Sequence, residues 1–212
     1  TGVALASGAV HRGDLFVALR GVHRHGSEFW PDARVAGAMA VLTDEEGFGS
    51  LRDPALPILV ADNPRALMGR VSAEIYGTRS TPMPTLLGVT GTNGKTSTAF
   101  LLEAIMRGLG ARTALSTTAI RQVNGENFPS TLTTPEAPDT HAMIARAREQ
   151  GVTAIALAIS AQALDKNRMD QVVCDVAGFK NLSHEHLEDF HTMENYLQAK
   201  AAPFMPAQAR AA

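Results

Sequence analysis

The chain has 212 residues, enough for one large or two small domains with their own cores. Hydrophobic residues make up 45 % and charged residues 19 %, which excludes extensive disorder. The formal charge is −2, and Lys and Arg are scattered, so neither a nucleic-acid footprint nor a basic membrane-binding face is expected. No apolar run is long enough to span a bilayer and no signal-peptide pattern opens the chain, so membrane insertion is not expected. The single cysteine, Cys174, lies in an apolar run, reads as a buried hydrophobe and permits no disulfide framework. A reducing, cytoplasmic location follows as an expectation. The chain lacks an initiator Met and ends on Pro206-Ala207-Gln208-Ala209-Arg210-Ala211-Ala212, which reads as an interrupted sequence, so a fragment is expected.

In chain order, Asp14 to Leu19 and Pro57 to Val60 read as short buried strands. Asn63-Pro64 combines a capping side chain with proline at the first helical position, predicting a helix to about Tyr76. The Pro-rich segment Thr78 to Thr85 separates two blocks, giving predicted domains 1–81 and 82–212. Leu86 to Thr90 reads as a strand, Thr96 to Leu109 as a helix ending at Gly110, and Asp139 to Glu149 as another helix. Further strands are expected at Thr113 to Leu115, Val152 to Ile159 and Cys174 to Phe179. Strands alternating with helices imply an α/β fold with a doubly wound parallel sheet.

Between the strand at 86–90 and its helix lies Gly91-Thr92-Asn93-Gly94-Lys95-Thr96-Ser97. A Gly-rich turn that opens a helix leaves backbone N–H groups pointing outward in the positive field of the helix N-terminus, where phosphate binds. Gly91 and Gly94 allow close backbone approach, Lys95 can reach β- and γ-phosphates, and the Thr96 or Ser97 hydroxyl can ligate Mg²⁺. The pattern is G-x-x-G-K-T, a Walker A variant with Val89 where the longer form has glycine. ATP and Mg²⁺ are the expected cofactors.

This loop resembles that of the Mur ligases and their relatives. Thr133-Thr134-Pro135-Glu136, Asn181-Leu182-Ser183-His184-Glu185-His186-Leu187, His191 to Tyr196 and Lys200 resemble the tripeptide-synthetase branch of that family. Thr1 to Leu5, Gly13 to Leu19 and His25-Gly26 are similar to its uridine-nucleotide-binding domain. The resemblance implies a small N-terminal α/β UDP-binding domain followed by a truncated phosphate-loop ATPase domain. It implies an ATP-dependent ligase of peptidoglycan-precursor synthesis that activates the carboxylate of UDP-MurNAc-L-Ala-D-Glu as an acyl phosphate. An amino-acid amine then displaces phosphate to form an amide, and a monomer is expected.

Under this resemblance Lys95, His186 and Lys200 are catalytic, and Thr96, His186 and Lys200, the last as a carbamate, hold magnesium. Gly91, Thr92, Asn93, Gly94, Lys95, Thr96, Ser97 and Asn181 bind the nucleotide. Thr133, Thr134, Ser160 and Arg168 contact the muramyl peptide, and Leu5 and Ser7, with His23, lie near the uridine nucleotide. From the residues alone, Lys200 reads as a helix-surface lysine, His186 as structural and Thr-Thr-Pro as a loop entry. Departures from the family are Ala158 in place of a magnesium-binding glutamate in Ala158-Ile159-Ser160-Ala161-Gln162, and Ala6-Ser7-Gly8 in place of Asp-Ser-Arg. Lys180 stands where Thr is common, and Glu185 and Glu188 replace aspartates. The family's third domain, which binds the incoming amino acid, lies beyond this length. Two other readings stay open: the D-Ala-D-Ala-adding Mur ligase, and a catalytically silent nucleotide-binding module.

Overall fold

The computed structural model describes residues 1–51, 56–79, 82–204 and 209–211. The chain divides into two compact units, Thr1–Tyr76 and Gly77–Ala212. Residues 80 and 81 of the expected linker, and 205–208 and 212 of the tail, lie outside the described residues.

The first unit is built on β1 (Val3–Ala4), β2 (Leu15–Val17), α1 (Trp30–Ala36), β3 (Ala40–Thr43), α2 (Glu45–Ser50), β4 (Ile58–Val60) and α3 (Pro64–Ile75). Its four strands pair in parallel in the order β1-β2-β3-β4. Phe16 and Trp30 stack with ring centroids 6.5 Å apart over Ala33 and Val41, which forms the core of this unit. Asn63 caps α3 by accepting from the Ala66 N–H at 3.0 Å, with Pro64 beginning the helix. The far end of α3 is tied to β1, because the Tyr76 hydroxyl accepts from the Val3 N–H at 3.1 Å.

The second unit contains β5 (Thr85–Thr90), α4 (Lys95–Gly108), β6 (Thr113–Ser116), β7 (Arg121–Val123), β8 (Glu126–Phe128), α5 (Ala137–Glu149) and β9 (Ala154–Ala158). It continues through α6 (Ala161–Asp165), β10 (Cys174–Phe179), α7 (Leu187–Phe190), α8 (Met193–Ala201) and β11 (Ala209–Ala211). The sheet order is β11-β10-β5-β9-β6-β7-β8. Five strands are parallel, whereas β7 and β8 form an antiparallel hairpin on one edge. The five parallel strands form the expected doubly wound sheet, to which the hairpin adds an antiparallel edge. The hairpin turns through Asn124 at φ 48° and Gly125 at φ 85°, the two left-handed positions that a tight two-residue hairpin loop demands.

β9 is apolar and buried along its whole length because α4 and α5 cover opposite faces of the sheet there, whereas Val176 and Phe179 of β10 remain exposed. Ile155, Leu157, Ile159 and Cys174 meet Ile144 and Ala147 of α5 in one core cluster. Ala156 and Ala158 meet Ala99 of α4 on the opposite face. Cys174 is fully buried, and burial pushes its thiol up to about 12, so the inert reading holds.

His141 is also fully buried on α5. Its Nε2 donates to the Asp170 carbonyl at 3.0 Å, so its Nδ1, 2.6 Å from the Thr78 hydroxyl, accepts. In the neutral ring both nitrogens are satisfied, and burial, which disfavours the charged form, holds the pKa below the ordinary 6.5. The unfolded chain then takes up a proton near pH 6.5 while the fold does not, so His141 costs stability as pH falls below that value. Between about pH 7 and about pH 5, His141→Gln is expected to lose less melting temperature than the parent chain. Calorimetric melts of both proteins check this, and parallel slopes would refute it.

Candidate nucleotide site

The phosphate loop occupies Gly91 to Gly94, directly after β5, and α4 starts at Lys95. Gly91 has φ 150° and Gly94 φ 82°, both positive, which is the conformational reason for glycine at the two ends of the turn. Neighbouring strands end at the same level, since Phe179 of β10 pairs with Thr90 and Ala158 of β9 with Val89. The segments that follow β5, β9 and β10 therefore gather at the carboxyl edge of the sheet, where ligands of doubly wound folds bind.

Asn181, two residues past β10, braces the loop. The Asn93 N–H donates to its Oδ1 at 2.9 Å, its Nδ2 donates to the Asn93 carbonyl at 3.1 Å, and the Thr92 N–H donates to its backbone carbonyl at 3.0 Å. Its side chain thus holds the loop backbone at Asn93 from both its N–H and its carbonyl. Thr92 is buried, and its hydroxyl oxygen accepts from the Ser183 N–H at 3.0 Å and lies 3.4 Å from the Tyr196 hydroxyl. Asn93 and Ser97 are exposed and Thr96 is half-buried, so these loop residues present their polar groups outward.

Lys95 folds back over the loop, its ammonium donating to the Gly91 and Thr92 carbonyls at 2.8 Å each. Burial lowers its pKa, opposed by the charge of Glu185. Lys200 was expected on a helix surface, and α8 does carry it, but only 1 % of it is exposed. Its ammonium donates to the same Gly91 carbonyl at 2.8 Å and lies 4.4 Å from the centroid of the Tyr196 ring. Burial and the neighbouring Lys95 push the Lys200 pKa down to about 8, with Glu185 opposing. The surface reading fails because the helical spacing of Tyr196 and Lys200 puts both on the face that packs against the loop.

His186 precedes α7 in a left-handed conformation at φ 58°. Its Nδ1 lies 3.0 Å from the Gln162 amide nitrogen, and its ring centroid is 6.0 Å from that of Tyr196. His186, Glu188 and Asp189 offer ligand atoms within 4.8 Å of one another, a donor set with two oxygens that suits a hard divalent cation. Tyr196 thus joins Thr92, His186 and Lys200, and Gln162 links the helix after β9 to His186 and, at 3.2 Å, to Asp189. Sequence reasoning gave Tyr196 and Gln162 no individual role, although the four-residue spacing from Tyr196 to Lys200 was available as a signal.

Thr134 is buried, donating to the Ala158 carbonyl and accepting from the Ser160 N–H, both at 3.0 Å, which ties the 133–136 loop to the end of β9. Thr133 pairs instead with the Thr118 hydroxyl at 2.7 Å. Ser160 caps α6 by accepting from the Ala163 N–H at 3.2 Å. Arg168 is engaged by Glu136, with Nε and a terminal nitrogen both 3.0 Å from one carboxylate oxygen. Ala158, where the resemblance expects a metal-binding carboxylate, contributes only a methyl group packed near Ala99. In the first unit Leu5 and Ser7 are half-buried at the turn after β1, and His23 is exposed.

A strand, a glycine turn and a helix opening on lysine, set in a predominantly parallel sheet, define a phosphate-loop α/β protein. Residues 1–74 match the model described as "Mur ligase family, catalytic domain", and residues 89–210 match the "Mur ligase middle domain". The chain belongs to the Mur ligase family. It is 50 % identical over 210 residues to the UDP-N-acetylmuramyl-tripeptide synthetase of Leifsonia xyli subsp. xyli, covering 99 % of this chain and 41 % of that protein. It is 44 % identical over 214 residues to the UDP-N-acetylmuramoyl-L-alanyl-D-glutamate--2,6-diaminopimelate ligase of Streptomyces coelicolor, with the same two coverages. A solved structure of a ligase of that latter name superposes with a TM-score of 0.79 at 25 % identity, over 98 % of this chain and 41 % of the other. The chain thus spans about 41 % of the length of these relatives. Among the described residues, no helix is long and apolar enough to cross a membrane.

Proposed function

We propose that this chain carries the nucleotide-handling part of an ATP-dependent amide ligase of peptidoglycan-precursor synthesis, one that adds the third amino acid to UDP-MurNAc-L-Ala-D-Glu. The observation that supports this most is the phosphate loop with two lysine ammoniums, the half-buried Lys95 and the buried Lys200, converging on the Gly91 carbonyl, beside the edge occupied by Thr134 and Ser160. The names of the relatives, a tripeptide synthetase and a diaminopimelate ligase, point to the same substrate class.

In this reading the loop N–H groups and Lys95 exchange their present contacts for phosphate oxygens, holding the terminal phosphate in line with the substrate carboxylate. Attack forms the acyl phosphate and releases ADP. The amine of the incoming amino acid then displaces phosphate to form the amide. When bound, Mg²⁺ supplies charge neutralisation at the transferring phosphoryl group. The Thr96 hydroxyl and the His186, Glu188 and Asp189 donors are suited to it, whereas Ala158 has no ligand atom. Lys200, with a pKa of about 8, is neutral for roughly a tenth of the time at pH 7, far more than an ordinary lysine, and a neutral amine can add CO₂ and release a proton to solvent to give the carbamate that the family resemblance implies. Arg168 can present its fork to a substrate carboxylate once it shares Glu136.

The test joins this chain to the remaining C-terminal part of a relative and measures phosphate release from ATP in the presence of UDP-MurNAc-dipeptide and an amino acid. Release that depends on both co-substrates is the expected result, and Ala158→Glu is expected to raise it by restoring an oxygen ligand. If neither protein releases phosphate on addition of the dipeptide while both still bind ATP, the silent-module reading replaces the ligase.

A further inference from the structure

Lys180 follows β10 and continues its pairing, its N–H donating to the Thr90 carbonyl at 3.0 Å. From that anchor the side chain runs along the phosphate loop. A Cβ built on Gly91 would lie 3.1 Å from the Lys180 Cβ, and one built on Gly94 would overlap the Lys180 ammonium. The ammonium therefore rests against the last residue of the loop, at the start of the fourteen-residue helix α4. Its stem borders an apolar groove lined by Leu87, Val89, Leu102 and Phe179, a surface on which the methylenes of an extended lysine can lie while the charge stays in water.

The other two lysines of this site are occupied, Lys95 by two carbonyls and Lys200 by one. The Lys180 ammonium is exposed and has no hydrogen-bond or ion-pair partner among the described residues. A cation held at the positive end of a helix is electrostatically unfavourable unless an anion joins it. The site is also short of oxygen ligands on its β9 side, where Ala158 buries a methyl.

We propose that Lys180 is a further phosphate-binding residue of this nucleotide site, its ammonium supplying charge that takes up part of the role of a divalent cation. This rests on the loop binding a nucleotide, as proposed above. Its signature is the balance between metal-free and metal-bound affinity. A compact ammonium against phosphate oxygens matters most when no Mg²⁺ screens them, and less once the metal has neutralised the same oxygens.

The experiment measures the affinity of the full 212-residue chain for a fluorescent, non-hydrolysable ATP analogue, once in EDTA and once in excess Mg²⁺. Lys180→Thr is expected to weaken binding in EDTA by about tenfold and in Mg²⁺ by distinctly less, with Lys180→Arg staying within about twofold of the parent in both. A loss in EDTA no greater than the loss in Mg²⁺, zero included, overturns the proposal. Lys95→Ala separates the two levels of inference. If it abolishes binding while Lys180→Thr leaves it intact, only the role of Lys180 falls. If Lys95→Ala binds as the parent does, the loop assignment falls and the role of Lys180 with it.

Discussion

Lys95→Ala is expected to weaken binding of an ATP analogue by on the order of 100-fold, the loss of a charge-assisted hydrogen bond of about 1.5–3 kcal/mol plus the disorder of the loop. Lys95 opens α4 and reaches back to the Gly91 and Thr92 carbonyls, so it organises the turn before any phosphate arrives. The substitution therefore removes a ligand and a strut together. Lys95→Met keeps the stem and deletes the ammonium: an affinity matching that of Lys95→Ala assigns the whole loss to the ammonium, as phosphate ligand and as donor to the loop carbonyls together, and none to packing of the stem. Isothermal titration with each variant checks the result. An affinity within about twofold of the parent would contradict the phosphate-loop assignment.

The second large effect concerns stability. Lys200 is almost wholly buried with its pKa lowered from 10.5 to about 8. Below about pH 8 the lysine is protonated both in the fold and in the unfolded chain, and the cost of burying the ammonium is fully present. Between 8 and 10.5 the unfolded chain holds the extra proton, so stability rises with pH; above 10.5 both forms are neutral and the cost has gone. Lys200→Met keeps the volume and deletes the charge, and Gly91 still accepts from Lys95. In CO₂-free buffer at neutral pH this variant is expected to be more stable by about 2 kcal/mol, the desolvation cost less the lost contact with the Tyr196 ring. It is also expected to lose the climb in stability above pH 8. Denaturant midpoints at several pH values measure both effects, and a Lys200→Met chain less stable than the parent at neutral pH would show that the ammonium contacts outweigh its burial.

Legibility in the sequence followed the strength of local signals. The Asn63-Pro64 start of α3 and the span Cys174 to Phe179 of β10 are present as read, because capping chemistry and a bounded apolar run are local properties. The Asn124-Gly125 hairpin carries an equally local signal in its dipeptide, but its strands are three residues each and half-polar, too short for alternation to stand out. The short helices α1, α2 and α7 have four to seven residues, below the length at which helical periodicity can be counted.

The loop Gly91 to Ser97 was determined by sequence alone, since its glycines, lysine and following helix are contiguous and their chemistry depends on backbone conformation within a few residues. The family likewise follows from motifs that survive as strings. Which lysines face that loop was a decision of the tertiary structure. Lys180 and Lys200 lie 85 and 105 positions beyond Lys95, and by composition each is an ordinary surface lysine. Parallel pairing of β10 with β5 lays Lys180 along the turn, and packing of α8 through Tyr196 buries Lys200 against Gly91. Charge state and role depend on burial and on neighbouring charge, and both are set by residues distant in the chain that only the folded sheet brings together.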